Sequence, residues 1–206
     1  MALKDEMIST ATGTIVSTIM RKGLDKLCIY FPGLELKAAK NFVDICKKTS
    51  AYLTEKHIPL EQCRQIMDKL GLVFIPSASV ETEPELQDLW AHYLANALDP
   101  NFEQSKLRVA YMDIIKSLDL SDVRILEYCR RQKTGEIFKA DPVIDSTALG
   151  ISQYHISIEN LKRLQLVTVP LAIGEAYLVG DSFIEENNSQ FRLTAFCQAF
   201  FEACMS

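Results

Sequence analysis

Between Glu81 and Pro100 the chain reads ETEPELQDLWAHYLANALDP, and few folds can accept that stretch. From Leu86, the apolar residues Leu89, Trp90, Tyr93, Leu94, Ala97 and Leu98 follow at +3, +4, +7, +8, +11 and +12, the spacing of one face of an α-helix. Pro84 suits a first turn, where its missing N–H is not needed, and Glu83 before it is biased away from helical angles. Glu83, Glu85 and Asp88 place anions at the positive end of the helix dipole, and Asp99-Pro100 ends the pattern. Burying the six large side chains offers on the order of 10–18 kcal/mol gross, before ordering entropy is subtracted. Such a stripe must be covered by neighbours, so a central helix over 83–98 inside a helical core is predicted.

The same helix carries a polar seam: Glu85, Asp88, His92, Asn96 and Asp99, at steps of 3, 4, 4 and 3. Groups strung along one helix face climb about 5 Å per turn and cannot converge on one ion without ligands from another segment. The seam is therefore read as a solvated face or as hydrogen bonding to a neighbouring helix, with Asp88–His92 a local i,i+4 pair.

On either side the chain is mostly helical in pattern. Met1–Tyr30 reads as helix, FPGL at 31–34 as a break, and Glu35–Lys56 as a second helix with Leu36, Ala39, Phe42, Val43, Ile45, Cys46 and Tyr52 inward. IPLEQ opens a third, ending near Gly71, and LVFIPSASV reads as a connector, possible as extended chain. Phe102–Leu118 is a further helix, and Asp119 or Ser121 would cap the next one. Only 8 Gly and 7 Pro occur in 206 residues, which favours helices over a turn-rich β fold.

From Asp119 the order of pieces changes. Helical SDVRILEYCRRQ is followed by a short helix in DPVIDSTALG, a turn at Gly150-Ile151-Ser152 and a third helix, SQYHISIENLKRLQL. Strand-like LVTVPL, EAYLVG and QFRLT come next, then a terminal helix, TAFCQAFFEAC. Helix–turn–helix followed by a β-wing is the winged-helix order. The predicted fold is thus mainly α: a helical region over 1–116 and a winged-helix-like domain over 117–206 with a small β-wing.

Charge decides what such a domain can hold. Net charge is −5; residues 117–206 hold 8 basic and 12 acidic side chains, and 164–191 hold no Lys or Arg but four acids. Tyr154, Ser157, Ile158, Leu161 and Leu164 face inward on the third helix, leaving Ser152, His155, Ile156, Glu159, Lys162 and Arg163 outside. Phosphate backbones select more positive charge than this, so nucleic acid is not the expected partner. Were DNA bound, His155, Lys162 and Arg163 would touch it. A bare Ile156 suits a protein contact.

No nucleophile elbow, phosphate-cradling glycine loop or zinc-ligand spacing is present. No catalytic residue, metal ligand or cofactor is therefore assigned. The six Cys (28, 46, 63, 129, 197 and 204) form no C-x-x-C, and read as small core residues of a reducing, cytoplasmic setting. MALKDEM is acidic where a secretory leader is basic. The uncharged run Met7–Met20 is too short to span a bilayer, though with Arg21, Lys22 and Lys26 it could touch a membrane surface.

Ala78-Ser79 with Glu81, then ELQDLWAHYLANALDP, then VAYMDIIKSLDLSDVRILEYC resemble the middle of the abortive-infection alpha (Abi-alpha) family. The likeness rests on Glu85, Leu86, Leu89, Trp90, Ala91, Leu94, Ala95, Asn96, Ala97, Asp99, Pro100, Ile114, Lys116, Leu118, Asp122, Ile125 and Leu126, and runs from about Val80 to Cys204. Tyr93 stands where a leucine is usual, Leu120 where a proline is common, and Phe196-Cys197 where a glycine turn often precedes the last helix. The resemblance implies a role in bacterial defence against phage and carries over no catalytic residue. The small Ala91, Ala95 and Ala97 beside Asn96 suggest a closely approached helix, with Asn96 bonding across it to fix register.

The expected function is therefore an anti-phage component acting through protein contacts, with a partner or a second copy, and Trp90, Asn96 and Ile156 as contact candidates. A winged-helix transcription regulator and a peripheral membrane effector using the N-terminal helices are the alternatives.

Overall fold

The computed structural model describes residues 35–66, 68–132, 137–169 and 190–205. The helix expected over Met1–Tyr30, its membrane contact, Cys28 and the strand-like EAYLVG lie outside these residues. The chain forms two compact units: Met1–Ser117 with Glu202–Ser206, and Leu118–Phe201.

The first unit is built from α1 (Glu35–Glu55), α2 (Asp68–Ser79), α3 (Pro84–Leu98) and α4 (Val109–Ser117). As the sequence predicts, α3 has Glu83 as N-cap, Pro84 in its first turn and Asp99 as C-cap. It is the core of the unit: eleven of its fifteen residues are buried. Helix α1 lies along it with Ala38, Phe42, Ile45, Cys46, Thr49 and Leu53 buried. The two backbones approach closely, because the Thr49 hydroxyl reaches the carbonyl of Ala91 on α3 (3.3 Å) as well as its own Ile45 carbonyl (2.9 Å). A larger residue at Ala91 would hold the helices apart.

Helix α2 departs from expectation. IPLEQ forms only a 3₁₀ turn, Leu60–Gln62, and the helix runs from Asp68 through Gly71 and Pro76 to Ser79. LVFIPSASV is thus helical, not extended. Tertiary packing overrides the local breakers: Phe74 lies edge-on to Trp90 (5.3 Å) and Phe42 (6.5 Å) and stacks on Tyr93 (6.2 Å). Pro76 lies inside α2 with its ring exposed to solvent, where it leaves the helix one backbone hydrogen bond short. Phe102–Leu118 is also shortened, to a 3₁₀ turn (Gln104–Lys106) followed by α4.

The second unit contains α5 (Leu120–Arg130), β1 (Phe138–Lys139), α6 (Ala140–Thr147), α7 (Ile151–Arg163), β2 (Val167–Thr168) and β3 (Gln190–Leu193). It also holds α8 (Ala195–Cys204) as far as Phe201. Thr194 begins α8, its hydroxyl accepting the N–H of Cys197 (3.0 Å). The Thr194 side chain thus caps the helix. The strands make an antiparallel sheet of order β1-β3-β2, with Phe138 opposite Phe191 and Val167 opposite Leu193. Strand β1 was not foreseen. It is only two residues long, and it is held by Phe138 stacking on Phe191 (5.2 Å) and meeting Tyr128 edge-on (6.3 Å). Helix α7 packs against α5 and α6, and Tyr154, Ile158 and Leu161 of α7, Val123, Ile125, Leu126 and Cys129 of α5 and Val143 of α6 are all buried.

Helices α1 and α7 both end in six-to-one turns: Ile58 N–H to Leu53 C=O and Leu166 N–H to Leu161 C=O, each 2.9 Å. The residue that makes the reversal in each, His57 (φ 56°) and Gln165 (φ 60°), has left-handed backbone, where a side chain is strained. His57→Gly and Gln165→Gly are each expected to raise unfolding stability by about 0.5–1 kcal/mol in urea titrations. A loss of stability would show that these side chains make compensating contacts.

Candidate functional site

The polar seam of α3 is a helix–helix junction that grows drier toward its C-terminal end. Glu85 is exposed, Asp88 and His92 are half-buried, and Asn96 and Asp99 are buried. Asp88 meets α1: Lys48 pairs with it at 2.7 Å and the Tyr52 hydroxyl donates to it at 3.1 Å. Lys48 also donates to the Pro84 carbonyl (2.7 Å), tying the first turn of α3 to α1. His92 stacks flat on Tyr52, centroids 3.7 Å apart. Asp88 therefore reaches across to α1, in line with reading the seam as hydrogen bonding to a neighbouring helix.

Asn96 has 0% of its surface exposed and is bonded on both sides of its amide. Its oxygen accepts from Lys56 Nζ at 2.6 Å. Its nitrogen donates to the carbonyls of Ala203 (3.0 Å) and Glu202 (3.2 Å) in the last turn of α8. Lys56 also stands 4.0 Å from Asp99, whose other oxygen accepts the N–H of Asn101 (2.7 Å). The closely approached helix expected beside Asn96 is thus found, and residues 202–203 are its bonded partner. Around this point Ala203, Cys204 and Met205 are buried. Burial pushes the Cys204 thiol and the Tyr93 phenol well up from their ordinary values.

Of the three contact candidates, only Ile156 is at the surface, 69% exposed; Trp90 is 1% exposed, enclosed by the aromatic cluster, and Asn96 is internal. A tryptophan in an amphipathic helix marks either core or contact, and only the partner Phe74, on a helix the sequence did not reveal, settles which. The candidate DNA contacts sit on the outer side of α7. His155 and Arg163 are exposed, while Lys162 is half-buried and paired with Glu159 at 3.1 Å. Ile151, also on α7, is 66% exposed. Sequence reasoning used it only as a turn residue.

Behind Arg163 runs a second polar network. Arg163 donates to Asn160 Oδ1 through Nε (3.2 Å) and a terminal nitrogen (2.7 Å). The Asn160 amide donates to Asp122 (2.6 Å), which also accepts the backbone N–H of Asp119 at the start of α5 (2.9 Å). Burial raises the Asp122 carboxyl above its ordinary 3.8, against the hydrogen bonds that lower it.

Four of the five described cysteines are buried and Cys63 is half-exposed. Burial pushes the thiols of Cys46 and Cys197 up to about 12, and that of Cys129 further, so none is a thiolate near neutral pH. Among the described residues, no three His, Cys, Asp or Glu side chains are grouped to hold a metal ion. No described helix is long and apolar enough to cross a membrane.

Asn96→Leu should destabilise the first unit by about 1–3 kcal/mol, since two buried carbonyls and Lys56 lose their partner together; unchanged urea midpoints would contradict the seam's structural role. For Asp122, the raised pKa means the folded state binds its proton more tightly than the unfolded state does. Its contribution is therefore most favourable below the unfolded pKa and is lost as pH rises through the folded one. The stability of wild type relative to Asp122→Asn should accordingly increase as pH falls through the raised folded pKa toward the ordinary aspartate value, about 3.9, and level off below it. A difference that stays flat or shrinks on acidification would reverse the assignment.

No curated protein and no solved structure matches the chain. The family model described as abortive infection alpha matches residues 40–204. The match begins within α1, earlier than the stretch from Val80 that carried the likeness in the sequence, and takes in the seam and the outer face of α7. With well over half its length matched, the chain belongs to the abortive infection alpha family.

Proposed function

We propose that this chain is a bacterial abortive-infection component that acts without catalysis, by gripping another protein with the outer face of α7. Family membership supports the setting. The order α5-β1-α6-α7-β2-β3, with β3 between β1 and β2, supports reading the second unit as a winged helix in which α7 occupies the recognition position.

The observation that carries the reading is the exposure of Ile151 and Ile156 on that helix. Large aliphatic side chains in water gain from being covered. The cations beside them are already engaged, Lys162 by Glu159 and Arg163 by Asn160. A duplex reader needs several free phosphate contacts, and α7 offers few. The reading calls for no cofactor and places the protein in the cytoplasm, where a partner or a second copy would cover the face.

Ile156→Asp combined with Ile151→Asp should cut protection in phage-plating assays by roughly tenfold or more, as loss of a central contact does. Stability should move by less than about 0.5 kcal/mol, both sites being exposed. Full protection by the double variant would end the proposal. In mobility-shift titrations at about 50 mM salt, where even non-specific binders are retained, duplex DNA should run free. Tight, salt-sensitive retention would install the transcription-regulator reading instead.

A further inference from the structure

We propose that Arg163 is the polar anchor of the α7 face, that it takes a carboxylate on a different polypeptide, and that Asn160 is its positioning residue. This rests on the reading of α7 as a docking face. Ser152, Ile156, Glu159 and Arg163 follow one another at helical spacing, so they lie along one stripe of α7, and all four are exposed. Within that stripe Glu159 is balanced by Lys162 at 3.1 Å. Arg163 has no such balance. Among the described residues its guanidinium bonds Asn160 alone, through Nε (3.2 Å) and a terminal nitrogen (2.7 Å), and Asn160 is neutral.

A neutral amide orients a guanidinium without cancelling its charge. Asn160 is itself held, its nitrogen donating to the buried Asp122 at 2.6 Å, so the oxygen that receives Arg163 is fixed in direction. Two of the guanidinium's five N–H groups are used there, and the rest remain for a partner on an exposed side chain. A long side chain already held in place has less freedom to lose on binding. The group that fits these donors, on a stripe with a bare isoleucine, is a carboxylate beside an aliphatic patch. One oriented cation is too few for a duplex backbone. A second copy laid stripe to stripe would bring Glu159, which Lys162 already holds, so the carboxylate comes from another polypeptide.

Phage plating tests this. Arg163→Gln should cut protection roughly tenfold, and Arg163→Glu at least as far. Urea midpoints should not move, the side chain being exposed. Arg163→Lys keeps the charge but not the fork and should lose about threefold. Asn160→Ala should lower protection in the wild-type chain yet cost nothing further in the Arg163→Gln background, because it acts through the guanidinium. A purely structural Asn160 would cost the same in both backgrounds, and that result would remove the positioning role. Full protection by Arg163→Glu overturns the anchor. If Ile151→Asp with Ile156→Asp still abolishes protection in that case, the docking face itself survives. Two further results would also overturn the proposal. Retention of duplex DNA that Arg163→Glu abolishes would assign the guanidinium to phosphate. A sedimenting dimer that Arg163→Glu turns into a monomer would assign it to a second copy.

Discussion

A helix leaves its last carbonyls without donors, and in the first unit several of those carbonyls lie inside the protein. Asn41 donates to Ser79 at the end of α2 (3.1 Å). The backbone N–H of Arg64 donates to Leu98 at the end of α3 (2.8 Å), and its guanidinium bonds the Pro100 carbonyl. Asn96 donates to Glu202 and Ala203. In each case the donor belongs to a different part of the chain, from 34 residues away (Arg64 N–H to Leu98) to 107 (Asn96 to Ala203). Apolar stripes tolerate a helix sliding or turning against its neighbour, whereas a bond to one particular carbonyl does not. The caps therefore fix the register that hydrophobic burial alone leaves loose, and each ties one helix to another.

The second unit uses a buried acid for a similar purpose. Asp122 joins the start of α5 to α7, and Asn160 passes the connection on to Arg163. Raising the Asp122 pKa is the consequence of enclosing a carboxylate with neutral donors, where burial outweighs the hydrogen bonds. The outward consequence falls on the surface of α7. Its basic side chains are drawn into intrahelical pairs while Ile151 and Ile156 stay bare, so the internal wiring shapes what the face can attract.

The strongest elements were legible in the sequence because their signals are local. Pro84 and Asp99-Pro100 mark both ends of α3, and the inward set Tyr154, Ser157, Ile158 and Leu161 on α7 follows from spacing alone. What escaped depends on distant residues. Gly71 and Pro76 read as breakers until Phe74 is seen against Trp90 and Tyr93. Strand β1 exists through a partner more than fifty residues on, Phe191. The closeness of a helix to Asn96 could be inferred from the alanines around it, but nothing local says that the helix is α8, more than a hundred residues on. Trp90 and Ile156 illustrate the limit: both are large and apolar on amphipathic helices, and only the presence or absence of a covering element separates core from surface.

Buried polar groups also hold a helix end differently from apolar ones. An apolar contact tolerates small shifts, but the Asn96 amide holds two carbonyls from one turn of α8 and fits only that register. Lys56, with about a third of its side chain exposed, lies on the edge of the site and bonds the amide oxygen, fixing which way the amide faces. Such a junction is firm in register, and losing its donor orphans both carbonyls at once. In the core around Phe42, Phe74, Trp90 and Tyr93 the rings are held by burial and ring contacts, which set the filling of the interior but leave register to the caps.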